Sequence, residues 1–295
     1  MHRFVLWNGS LREASERVLS PGQVGLLSGW GVFSTIRVLD GVLFAFERHW
    51  QRMKKDAGLL AVPFPENADE LHGQLLELVE ANQAWNATLR VVVVRNRGGM
   101  WEGPGLPTDY DLIALTTGLQ SWGRSVSLAM QPQARHAGCP LAGAKMLSWS
   151  FNLLWLERAR QRGFDEVILL NERGEVSECT SANIFAANGG EVATPPLSSG
   201  CLAGVTRDLL LHEVRAPGVS VVERPLRPED LEQAEEVFIT STTRVLLPVA
   251  SIEGKTLRGQ GVNRRGLQDA FARYVDEYVR RASLRAAPGA LTGHR

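Results

Sequence analysis

Three features could do chemistry together, and they occur in the order Lys145, Glu178 and the turn Gly200–Arg207. Lys145 is one of only four lysines in a chain whose basic charge is carried mostly by arginine. Lys54 and Lys55 sit in the charged run FERHWQRMKKDAG and Lys255 in the turn-like SIEGKTL, whereas Lys145 lies among small and apolar residues. A lysine withdrawn from water loses its proton more readily, because desolvation penalises the ammonium form, and its free amine can attack a carbonyl. The competing structural reading is a lysine snorkelling from a helix start. Glu178, in ECTSAN at the end of a short strand, is suited to pair with a protonated heteroaromatic nitrogen; a solvated edge-strand glutamate would look the same. Gly204-Val205-Thr206-Arg207 puts small residues and a threonine where a helix should begin, and the free N–H groups of a helix start suit a phosphate. Thr206 as a plain cap is the simpler alternative.

An aldehyde trap, a pyridinium partner and a phosphate cradle are the parts that pyridoxal 5′-phosphate requires. Lys145, then E-x-x-x-x-N-[IL]-F at Glu178–Phe185, then G-[IV]-T-R at Gly204–Arg207, resembles the class IV (fold-type IV) pyridoxal-phosphate enzymes. The resemblance runs from about Leu6 to Pro248, and the group includes branched-chain and D-amino acid aminotransferases and aminodeoxychorismate lyase. It implies that Lys145 carries the cofactor and moves the substrate proton, and that Glu178 keeps the ring nitrogen protonated. By the same match Arg52, in His49-Trp50-Gln51-Arg52, binds the phosphate with Val205, Thr206 and Thr242. Thr180 and Ser181 lie by the ring, and Thr243 lies near the substrate carboxylate. For these Thr and Ser residues, strand propensity alone is a serious competitor.

The resemblance further implies an α/β (α+β) fold of two domains, each with a mixed or barrel-like sheet flanked by helices, and a homodimer whose subunits close one another's sites. The implied function is an aminotransferase moving the amino group of a branched-chain or other apolar amino acid to 2-oxoglutarate or a similar 2-oxo acid. The rivals are aminodeoxychorismate lyase and a cofactor-binding protein without activity. Candidate substrate residues are Arg37, Arg95 and Phe33, with Arg97 as a further cation. Three positions depart from the family patterns: Trp30 replaces an acidic residue, Phe33 stands where a tyrosine is common, and Met100 stands where the lyases carry a second arginine. Trp30 and Trp101 are candidates for an apolar pocket wall or for core or dimer packing.

Positioning these residues needs a folded scaffold, and the pattern supplies one. RFVLW reads as a strand closed by an Asn8-Gly9 turn, and GVFSTIRVLDGVLFAF as a second hairpin around Asp40-Gly41. Helices are expected at about 47–60 and 68–86, followed by the strands ATLRVVVVR and YDLIALTTG. Residues 119–126 join residues 1–118 to residues 127–295 and are read as an interdomain linker. The second half should run strand SVSLAMQ, helix 148–161 stopped by a left-handed Gly163, several short strands, a helix from Gly204, two more strands and a last helix at 265–282. The tail from about Leu284 reads as frayed.

Size and composition narrow the class. The chain has 295 residues, 44% hydrophobic and 22% charged, with a formal net charge of zero. That suits a globular enzyme and favours neither nucleic acid nor a membrane surface as partner. No apolar run reaches the roughly 20 residues a membrane span needs. Cys139, Cys179 and Cys201 lack metal-ligand spacing, which points to no metal and to a reducing cytoplasm.

Overall fold

The computed structural model describes residues 1–286, apart from 101, 105, 258 and 260. The first half contains β1 (Phe4–Trp7), β2 (Ser10–Glu13), α1 (Val24–Ser28), β3 (Gly31–Leu39), β4 (Val42–Leu43), α2 (Phe46–Leu59), α3 (Ala68–Ala81), β5 (Ala87–Arg95) and β6 (Tyr110–Gly118). Its six strands form one sheet in the order β2-β1-β6-β5-β3-β4, and every pairing is antiparallel. The expectation of a mixed or barrel-like sheet in each half takes the form of an all-antiparallel sheet here and a mixed, curled one in the second half. On β5, alternate residues Ala87, Leu89, Val91 and Val93 are buried, and with Val32 and Ile36 of β3 they meet Trp50 and Met53 of α2 and Leu71, Leu75 and Leu78 of α3. Fully burying each such side chain stabilises the fold by about 1.5–3 kcal/mol.

The second half runs β7 (Val126–Gln131), α4 (Ser150–Gln161), β8 (Glu166–Leu170), β9 (Val176–Cys179), β10 (Asn183–Asn188), β11 (Glu191–Thr194), α5 (Val205–His212), β12 (Ser220–Glu223), α6 (Pro228–Gln233), β13 (Glu236–Ser241), β14 (Val245–Ile252), β15 (Lys255–Thr256) and α7 (Val262–Ala286). Its sheet has the order β12-β11-β10-β13-β14-β7-β8-β9, with β15 added to β14. The β7–β8, β14–β7 and β11–β12 pairings are parallel. The sheet curls, and the Cys179 N–H donates to Ala182 O (2.8 Å), so β9 returns beside β10. Ile184 and Ala186 enter one core while Phe185 and Ala187 enter another under α5 and α7. Burial on both faces explains the unbroken apolar runs in these strands.

Two boundaries differ from the sequence reading for identifiable reasons. The α3 helix stops at Ala81 rather than 86, because the Asn82 side chain clamps Phe4, accepting its N–H and donating to its carbonyl (both 2.8 Å), and Gln83 turns left-handed at φ 50. The α4 helix begins at Ser150 rather than 148, because the Ser148 hydroxyl donates to Gly29 O (2.9 Å) across the gap between the halves. Gly163 is left-handed as expected, at φ 86. The last helix begins at Val262, three residues earlier than the spacing predicts. The frayed tail lies mostly outside the described residues. Among the described residues, no helix is long and apolar enough to cross a membrane.

Candidate active site

Strand β3 provides the platform. Its Val32, Ser34 and Ile36 point to the helices, so Phe33, Thr35 and Arg37 face the second half. The segment around Lys145 docks on the exposed edge of this strand. The Phe33 N–H donates to Lys145 O (3.1 Å) and the Leu147 N–H to Gly31 O (2.9 Å). From the other side the Lys145 N–H donates to the Asp56 carboxylate on α2 (3.1 Å). The lysine therefore belongs to the second half by sequence but takes its position from the first.

Its amine stands 4.6 Å from the centre of the Phe33 ring and 6.0 Å from that of Trp149. Burial is the main reason its pKa falls to about 7, and the Arg52 guanidinium pushes the same way while Glu178 opposes it. A free amine is therefore well populated near neutrality, which snorkelling would not produce. The amine opens into a cavity of about 730 Å³ between the halves, lined among others by Arg52, Arg90, Glu178, Thr206 and Thr242.

Glu178, only 7% exposed, has both oxygens engaged. One accepts from Arg135 Nη2 (3.2 Å) and the other from the Leu202 N–H (3.1 Å). Arg135 also donates to Asn152 (3.2 Å), whose own amide donates to Thr180 O. The side chain is thus aimed into the cavity rather than solvated on an edge.

At the far end, Gly204 precedes the first turn of α5 with no side-chain cap, so the N–H groups of Val205 and Thr206 are uncommitted by the helix. A Cβ at Gly204 would collide with Asn183 Oδ1, so only glycine lets the backbone approach here. Arg52 reaches the same end from α2. Its Nη2 donates to Ser34 Oγ (2.7 Å), its Nη1 lies 3.4 Å from Ala203 O, and its Nε is buried without a partner. Burial lowers its pKa to about 10, with Asp56 opposing. Thr240 Oγ1 is another buried orphan on this wall, beside Ser241, Thr242 and Thr243. Unpaired donors and hydroxyls around a tight glycine turn fit a phosphate monoester, and Lys145 and Glu178 fit an aldehyde and a pyridine nitrogen.

Of the expected residues, Lys145, Glu178, Arg52, Val205, Thr206, Thr242, Thr243, Thr180, Ser181 and Phe33 all line this cavity. Two of them also have side-chain partners in the wall. The hydroxyls of Thr180 and Ser181 donate to the buried Glu166, not towards the cavity. The candidate arginines lie elsewhere. Arg95 stacks on Trp30 (4.2 Å) and donates to the carbonyls of Arg97 and Ala61, and Arg97 pairs with Asp109 (2.9 Å). Arg37 faces a separate void of about 20 Å³ behind Thr206 and Thr242. None of these three reaches the main cavity.

Trp30 donates to Leu60 O (2.7 Å) and packs on the first core, and it is not among the residues lining the main cavity. Trp101 lies outside the described residues, and Met100 is 87% exposed. The cavity residues that were missed include Arg90 and Arg135. Arg90 interrupts the apolar run of β5 and lies over the Phe33 ring (4.1 Å), and burial lowers its pKa. It has no carboxylate partner among the described residues, and the charged residue inside ATLRVVVV was the available signal.

Comparison with known proteins agrees with this geometry. The description of the class IV amino-transferases matches residues 31–252. A putative branched-chain-amino-acid aminotransferase of Methanocaldococcus jannaschii is 32% identical over 260 residues, covering 86% of this chain and 90% of the relative. A D-alanine aminotransferase of Bacillus licheniformis is 31% identical over 257 residues, covering 86% and 89%. The crystal structure of the Escherichia coli branched-chain amino acid aminotransferase superimposes with a TM-score of 0.84 at 26% identity, covering 94% of this chain and 96% of the other.

Proposed function

The chain belongs to the class IV aminotransferases, and from that premise we propose that it moves the amino group of a branched-chain or other apolar amino acid to 2-oxoglutarate, with pyridoxal 5′-phosphate as cofactor. The observation that carries this reading is the Lys145 amine, free near neutral pH, in one cavity with Glu178 and the α5 N-terminus. Bound there, the cofactor would supply an electron-withdrawing ring that acidifies the substrate's α-proton.

The remaining work falls to side chains. Lys145 takes and returns that proton at Nζ, which its lowered pKa suits. Glu178 receives the ring N–H, held in place by Arg135 and the Leu202 N–H. Arg52, Val205, Thr206 and Thr242 hold the phosphate. Phe33, Trp149 and Met146 give the amine's surroundings an apolar character that suits an aliphatic side chain. Arg90, a cation in the cavity wall with no carboxylate of its own, supports a second carboxylate on the acceptor.

The same reading takes the two sheets as two domains, 1–118 and 127–295, joined by 119–126. It also assigns a homodimer. Leu27 of α1, Phe151 and Leu153 of α4 and Met100 are more than half exposed, Phe151 at the cavity itself, and a second copy would cover them. The test is a panel of amino donors of both configurations with 2-oxoglutarate, read as glutamate formed. Turnover of leucine, isoleucine or valine is expected. Release of 4-aminobenzoate from aminodeoxychorismate, with no glutamate from any donor, would replace the reading with the lyase.

A further inference from the structure

Ser34 and His49 have no part in the reading above, yet both are enclosed, at 0% and 1% exposure. A hydroxyl and an imidazole in an apolar core cost free energy unless they are bonded. Ser34 Oγ lies 2.7 Å from His49 Nδ1 and accepts from Arg52 Nη2 at 2.7 Å. His49 and Arg52 are three residues apart on α2 and therefore share a face. Arg52 has only the longer contact to Ala203 O besides, so Ser34 is the contact that fixes the direction of the guanidinium.

The proton count is consistent with this chain. A guanidinium can only donate, so the Ser34 oxygen accepts from Arg52 and its hydroxyl proton is free for Nδ1. Nδ1 accepts it when the imidazole is neutral with its proton on Nε2. Burial pushes the His49 pKa well below its ordinary value, and the charges of Arg52 and Lys145 add to that. His49 is therefore uncharged; Arg37, the other basic residue lining the small void beside it, carries no carboxylate that would oppose this.

We propose that Ser34 and His49 are an uncharged positioning pair that aims Arg52 at the cofactor phosphate without bonding a carboxylate to it. A carboxylate at position 34 would hold the guanidinium as firmly but would cancel the charge that the phosphate needs. A hydroxyl backed by a neutral imidazole does the first without the second. The inference rests on the pyridoxal-phosphate reading.

The test compares equilibrium binding of pyridoxal phosphate and of pyridoxal, which lacks the phosphate, to the full-length apoprotein, with thermal melting alongside. Ser34→Ala should weaken pyridoxal phosphate about tenfold, the effect of one hydrogen bond to a charged group. Pyridoxal binding should stay within about twofold on the same scale, because nothing at the aldehyde end has changed. Ser34→Thr, which keeps the hydroxyl, should restore the phosphate preference, and Ser34→Asp should lose it. Should Ser34→Ala fold poorly, His49→Asn reports the same ratio with a smaller loss. Equal weakening of both ligands, or no weakening of either, overturns the proposal as a merely structural or silent role. Wild-type protein that binds neither ligand overturns the cofactor reading itself, and this inference with it.

Discussion

Two buried arginine environments stand on opposite sides of the cavity, and they are built differently. In the second half, Arg244 pairs with Glu166 (3.2 Å) at 7% and 1% side-chain exposure, donates to Ser181 O, and lies over the Trp122 ring. Glu166 is closed off by Thr180, Ser181 and its neighbour's N–H. The Arg244 guanidinium thus has a bonded counter-charge, although its Nε, like that of Arg52, is buried without a partner. On the first-half side, Arg52 has a hydroxyl and a carbonyl, and Arg90 an aromatic face, with no carboxylate bonded to either among the described residues. Removing a guanidinium from water without a counter-charge is expensive. Arg52 has Asp56 nearby but no carboxylate bonded to it, and Arg90 has none bonded either, which suits the anions proposed to arrive from outside: a phosphate at Arg52 and a substrate carboxylate at Arg90.

The contrast can be broken by substitution. Arg244→Met should destabilise the fold by about 3–5 kcal/mol, since it strands Glu166 as a buried charge. Denaturant titration reads this, and adding Glu166→Gln should recover part of the loss. Arg52→Gln should behave in the opposite way. Its folding stability should be unchanged or higher, while pyridoxal-phosphate affinity drops roughly 10- to 100-fold, as for loss of charge-assisted hydrogen bonds. A loss of folding stability there matching that of Arg244→Met would erase the distinction. Arg90→Met should leave cofactor affinity intact and raise the KM for a dicarboxylate 2-oxo acid about tenfold, again one charge-assisted contact. A monocarboxylate acceptor should feel little. Equal effects on both acceptors would remove Arg90 from substrate recognition.

The same contrast explains what could be read from the sequence. Lys145, Glu178 and the Gly204 turn were legible because their types are unusual in place: a lone lysine, a glutamate closing a strand, and a glycine-threonine helix start. The arginines were not. Arg37, Arg90, Arg95 and Arg97 are chemically identical in sequence, and what separates them is which partner the fold supplies. Arg95 finds two carbonyls and Arg97 finds Asp109, whereas Arg90 finds only Phe33. Helix α3 was overextended for a similar reason, because nothing local reveals that Asn82 will clamp Phe4. Alternation located the strands of the first sheet, one face of which packs on the helices. In the second sheet, burial on both faces erased that signal, and the turns alone marked the strands.

The proposed chemistry depends on Lys145 being a buried amine poised for an aldehyde. With its pKa lowered to about 7, it is the free amine above that pH and the ammonium below. The direct measurement is the rate at which apoprotein mixed with pyridoxal phosphate develops the long-wavelength band of the lysine-bound cofactor, followed from pH 5 to 9. We expect a plateau on the alkaline side, half its height near pH 7, and a fall of about tenfold per unit further down. Lys145→Ala should give no band at any pH. A band that persists in Lys145→Ala, or a wild-type profile still rising towards the pKa of an ordinary solvated lysine, would contradict the claim.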